Sequence, residues 1–222
     1  MIVRVRLKGG SGSGHFGHMG RPGLRGGSLP GKGGAYSGHY APSFKVVRGG
    51  KETRPTKQEA ADMALILRRH PTKVVSQLNC IVMCSTEKDW KEQYQKAVGR
   101  GDYRNCEGFY VEYNSTIYLP PSYDHLAIDH EIGHMAYLAA YHADGVHTWE
   151  FAYDNFSDFD RHTDYSIDGG VTEAFADSYA AWVHTGGKAA RMTELPKDVF
   201  RHNGDNIAGT FDMVQKVVDA IP

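Results

Sequence analysis

Apolar residues return at three- and four-residue intervals in several stretches of the chain, and alternate or run together in others. After Pro55, Thr56 can cap a helix in which Ala60, Ala61, Met63, Ala64, Leu65 and Leu67 share helical spacing, ending near His70-Pro71. Asn79 to Cys84 is a short apolar run and reads as a buried strand. Ser85 or Thr86 then opens a helix through Trp90, Tyr94 and Val98 to Gly99. From Gly108 to Leu119 the residues alternate as two strands around Asn114-Ser115. A longer apolar stretch follows Pro120-Pro121-Ser122, which supplies a stop and a plausible helix cap. A second such stretch starts at Gly169-Gly170 and ends before Gly186-Gly187. A last helix carries Phe211, Val214, Val217 and Val218 on one stripe. Helices and a small sheet in this mixture predict an α+β fold.

The two long apolar stretches carry the chemistry. The first contains His130-Glu131-Ile132-Gly133-His134, with Leu126, Ala127, Ile128, Met135, Ala136 and Leu138 around it. Residues four apart lie one turn above each other, so His130 and His134 can present two imidazoles to one cation. Glu131 leaves the axis rotated by one residue, where a carboxylate can accept a proton from an attacking water without ligating the ion. These features predict a catalytic zinc site with one ion.

Two histidines do not hold zinc alone. A metzincin would continue with Gly and His at the positions of Tyr137 and Ala140, so that class is excluded. The second apolar stretch holds Glu173 and Asp177, again four apart, among small and aromatic residues. Two acids in such a helix are costly unless each finds a partner. Zinc for Glu173, and the free ring N–H of a ligand histidine for Asp177, would satisfy both. His142, His147, Glu150 and Asp154 rival Glu173 as ligands, although none sits in a helical small-residue context.

His130-Glu131-x-x-His134 followed by Glu173-x-x-x-Asp177 resembles the gluzincin zinc metallopeptidases. Glu173-Ala-Phe-Ala-Asp177 is nearest to the branch with the anthrax lethal factor-like peptidases. The resemblance covers roughly residues 57 to 184. It implies a zincin-like domain with His130, His134 and Glu173 as ligands, Glu131 as general base and Asp177 behind a ligand. It also implies a tyrosine before the glutamate ligand that hydrogen-bonds the oxyanion. Tyr165 is nearest to that position, one residue off the spacing, and His162 competes with it. A strand before the active-site helix forms the cleft rim in such enzymes, its free edge binding substrate. That role falls on Thr116, Ile117, Tyr118 and Leu119. The activity implied is zinc-dependent endopeptidase hydrolysis of a protein or peptide substrate.

Composition adds an N-terminal region of different character. Of the 25 Lys and Arg, eight fall in residues 1–50 beside no acid, leaving 17 against 26 acids in the remainder. Gly9 to Gly34 is dominated by Gly, Ser, Arg and His, which predicts a flexible, basic tail over 1–54 and a peptidase domain over 55–222. Gly10 to Gly23 resembles a tract of Mu-type tailed-phage head proteins. It implies a phage-encoded or toxin-like protein whose tail meets virion proteins. The alternative is a phage structural or assembly protein whose metal site is not catalytic. The basic residues offer phosphates only a loose, salt-sensitive grip, so nucleic acid is not the expected partner. Three cysteines form no disulfide framework. Cys80 and Cys84 would lie about 13 Å apart on one strand face, which suits core thiols rather than one ion. No apolar run reaches the roughly 18 residues of a membrane span, and no secretory signal is seen. The expected location is cytoplasmic or virion-associated.

Overall fold

The structure, a computed structural model, describes residues 2–3, 41–99, 102–143, 145–147, 149–150, 170–195 and 207–222. The fold is mixed α+β. Strands β1 (Ile2–Val3), β2 (Ser43–Arg48), β3 (Lys51–Thr53), β4 (Cys80–Cys84), β5 (Phe109–Val111) and β6 (Thr116–Leu119) form one sheet in the order β1-β5-β6-β4-β2-β3. Strands β2, β4 and β6 are mutually parallel. β5 runs antiparallel to β6 and β3 antiparallel to β2, while β1 is parallel to β5.

Parallel neighbours need crossovers, and these put helices on both faces. Between β3 and β4 the chain forms α1 (Lys57–Leu67) and a single turn, α2 (Thr72–Val75). Thr56 caps α1 as its sequence promised: its side chain accepts from the Glu59 amide while Glu59 accepts from the Thr56 amide. Between β4 and β5 lies α3 (Glu87–Val98), capped by Thr86 and closed by Gly99 at φ 80°. Trp90 and Tyr94 of α3 pack with Phe109, Val82, Cys80 and Cys84 on one face of the sheet. The other face, with Ile81, Met83, Ile117 and Leu119, meets the remaining helices. β4 is buried at all five residues, which is why it reads as a continuous apolar run. Cys80 and Cys84 are core thiols, and burial raises both, Cys84 to about 12.

Two sequence expectations change here. The boundary of the domain is not at residue 55, because β2 and β3 lie at 43–53 inside the stretch assigned to the tail. Phe44, Val46 and Val47 of β2 are buried, and β2 pairs with β4. Glycine-rich sequence on the N-terminal side masked this short β signal. Residues 4–40, the rest of that tail, lie outside the described residues. The second change concerns Thr116 to Leu119. β6 is hydrogen-bonded to β4 on one side and β5 on the other, so the free substrate-binding edge expected there does not exist. Alternation along a strand reports its two faces and says nothing of its two edges.

Three helices complete the larger layer: α4 (His125–His142), α5 (Val171–Thr185) and α6 (Ile207–Ala220). The cap of α4 is Asp124, which accepts from the Leu126 amide, rather than Ser122. Gly186, at φ 63°, ends α5 in the left-handed conformation that glycine adopts without strain. Phe211, Val214, Val217 and Val218 form the buried stripe of α6. No described helix is long and apolar enough to cross a membrane.

α4 and α5 are the most extensively packed pair of described elements. Gly133 is the reason they can be so close. A Cβ at this position would lie 2.8 Å from the Ala176 Cα and 3.0 Å from its carbonyl oxygen. Both obstacles are backbone atoms, so relief requires a helix to move. Gly133→Ala is therefore expected to destabilise the protein by about 1–3 kcal/mol despite its gain in helix propensity. A lowered thermal midpoint, together with weaker metal binding, checks this; an unchanged midpoint would show that the interhelical contact has slack.

Candidate metal centre

α4 and α5 bring the two sequence motifs face to face. His130 and His134 stand one turn apart on α4, their rings 4.6 Å between centroids and perpendicular. Glu173 enters from the first turn of α5, and its Oε2 lies 3.1 Å from the Nε2 of each histidine. These three are the one group of potential metal-ligand side chains among the described residues, with donor atoms all within 4.8 Å of one another. Asp177, one turn further along α5, receives the Nδ1–H of His130 at 2.7 Å. This bond sets the ring orientation and directs Nε2 towards Glu173.

The donor set fits a zinc ion. A tetrahedral ion bound at roughly 2.0–2.1 Å needs neighbouring donors about 3.3 Å apart. Both histidine-to-glutamate separations are close to that value. Two imidazoles and one carboxylate supply three of the four donors that a tetrahedral ion takes.

Protons hold the cluster together electrostatically when metal is absent. Burial alone would lower His130, but hydrogen bonds to Asp177 and Glu173 overcome it and raise the imidazolium to about 9. Burial holds His134 below its ordinary value. Glu173 would be raised by burial, yet its hydrogen bonds with the two histidines keep it well below the usual carboxylate range. His130 thus contributes stability that is complete below its ordinary value of 6.5 and is lost as pH rises through about 9. The metal-free protein is expected to lose stability across that window. Its thermal midpoint should fall accordingly, and the fall should vanish in His130→Gln. An equal fall in that variant would assign the titration elsewhere.

Glu131 is buried on the same turn as the ligands, and its charge reaches both imidazoles. Gly108 makes room for it: a Cβ there would sit 3.2 Å from the Glu131 Cγ. The segment leading into β5 therefore lies against this side chain. The outer edge of β5 itself is paired with Ile2–Val3. The sequence matches no protein family and no curated protein.

Three of the four rival ligands are placed elsewhere. His142 is 3.7 Å from Glu112, and His147 is 3.8 Å from Glu150, both imidazoles on the surface. Glu150 accepts the Tyr137 hydroxyl at 2.6 Å. Trp149, fully buried, donates its indole N–H to the Val171 carbonyl and packs edge-on against Phe175, pinning the start of α5. Tyr165, His162 and Asp154 lie outside the described residues.

A second polar cluster, missed in the sequence, sits beside the metal group. Asp129, fully buried, is 2.8 Å from His70 Nε2 and 2.7 Å from His184 Nε2, with the Arg69 guanidinium at 3.1 Å. His184 therefore contacts a buried acid and is not only a residue favoured by the helix dipole. An acid inside an apolar helix, Asp129 among Ala127, Ile128 and Ile132, was the available signal.

Proposed function

We propose that the protein is a zinc-dependent peptidase of zincin-like architecture, hydrolysing peptide bonds with Glu131 as general base. One observation carries this reading: two imidazoles from α4 and a carboxylate from α5 converge on a space of ion size, with Asp177 behind a ligand histidine. The tandem spacing of both motifs agrees with it.

A zinc ion held by His130, His134 and Glu173 would supply Lewis acidity, polarising the scissile carbonyl and lowering the pKa of water towards roughly 7. Glu131 accepts the proton of the attacking water and passes it to the departing amine. Asp177 keeps His130 in the tautomer whose Nε2 lone pair faces the centre. The surrounding core, with Ile128, Ile132 and Phe175 fully buried, excludes bulk solvent from the back of the site.

The test is mapping of cleaved bonds in a proteome-derived peptide library, run with the zinc-loaded protein and with Glu131→Gln. Cleavages present only in the first support the assignment. Identical patterns in both, or none in either, overturn it.

A further inference from the structure

The close approach of α4 and α5 at Gly133 sets the distance between the helices that carry the ligands. It does not set their rotation. A histidine Nε2 lies roughly 6 Å from its helix axis, so a rotation of about 10° moves it by about 1 Å. Metal bonds tolerate about 0.2 Å. Something must fix the azimuth of α4, and the Asp129 cluster has the right connections.

Asp129 immediately precedes His130, so its side chain leaves the axis about 100° away from that ligand. Its carboxylate meets three groups from outside α4. Arg69 and His70 come from the segment between α1 and α2, and His184 from the last turn of α5. His70 then extends the network: with Nε2–H donated to Asp129, its Nδ1 accepts the Tyr179 hydroxyl at 3.0 Å. The His70 and Tyr179 rings are also stacked, 5.7 Å between centroids. Tyr179 is on α5, two residues past Asp177. Both site helices are thereby tied to each other and to one fixed loop, at points distinct from the metal ligands.

We infer that Asp129 is a positioning residue, whose contacts with His70, His184 and Arg69 fix the rotation of α4 so that His130 and His134 meet Glu173 before any ion arrives. This rests on the metal-centre reading. It goes beyond that reading in assigning metal affinity to residues that never touch the ion. Asp129→Asn keeps the shape and removes the charge that holds two imidazoles and a guanidinium.

The experiment uses Co2+ as the probe, because its visible absorption reports ligand geometry without any substrate. Affinity and absorption are measured for the wild type, Asp129→Asn and Glu173→Ala, at a temperature well below each apo thermal midpoint. A folded Asp129→Asn that binds Co2+ at least tenfold more weakly, with an altered absorption envelope, supports the inference. Wild-type affinity and spectrum in that variant, even with a lowered midpoint, reduce Asp129 to a structural role and overturn it. Should Asp129→Asn not fold, Tyr179→Phe, which removes only the hydroxyl bound to His70, decides by the same two readings. A wild type whose Co2+ affinity does not depend on Glu173 overturns the metal-centre reading and this inference together, whereas failure in the Asp129 arm alone leaves the metal centre standing.

Discussion

Glu131→Gln is expected to lower the rate of peptide hydrolysis by about 10²–10⁴-fold while leaving zinc content and thermal midpoint nearly unchanged. That is a loss of about 3–5 kcal/mol of transition-state stabilisation. The substitution is nearly isosteric, so the space that Gly108 leaves for the side chain stays filled. None of the three converging donor atoms belongs to Glu131, so metal binding has no reason to change. What is removed is the basic oxygen that takes the proton from water, since an amide cannot do so at neutral pH. Kinetics on a cleaved peptide from the library, beside metal analysis of the same sample, reads all three quantities. Undiminished hydrolysis with zinc retained would point to a metal that only supports the fold, as in a phage assembly protein.

Glu173→Ala carries the other large effect, and it falls on binding instead of rate. Dividing the roughly 10–16 kcal/mol of a four-ligand structural zinc site evenly gives about 2.5–4 kcal/mol per ligand. Affinity should therefore drop by two to three orders of magnitude, to about the strength of a two-histidine site. In the metal-free protein Glu173 is also the acid shared by both imidazoles, so its loss leaves His130 paired with the Asp177 carboxylate. The variant should then titrate His130 at lower pH than the wild type, a shift that NMR of the imidazole can follow. Competition titration with a chromophoric chelator measures the affinity directly. Equal zinc content in wild type and variant would mean that another side chain closes the site, and the ligand assignment would fail.

The two variants separate what the centre holds from what it does. Gly133 and Asp129 address a third quantity, the accuracy with which it is held. One sets how near the helices approach and the other how they are turned, and neither donates an atom to the ion.

Much of this was legible in the chain because it is local. Helical spacing brought His130 above His134 and Glu173 above Asp177, and the apolar residues around both pairs announced buried helices. Thr56, the Ser85-Thr86 pair and Gly99 marked helix ends through bonds made within a few residues. The β4 run declared its own burial by lacking any polar alternation. Such features depend on backbone periodicity and short-range hydrogen bonds, which sequence encodes directly. What only the tertiary structure decided involves partners distant along the chain. Whether β6 had a free edge depended on β4 and β5 flanking it. The place of β2 and β3 in the sheet depended on β4, more than 25 residues downstream. Asp129 found His70 and His184 at separations of 59 and 55 residues, read from their numbers. Burial forces such an acid to have a partner, but only packing chooses which one, because no periodicity connects residues that meet through the fold.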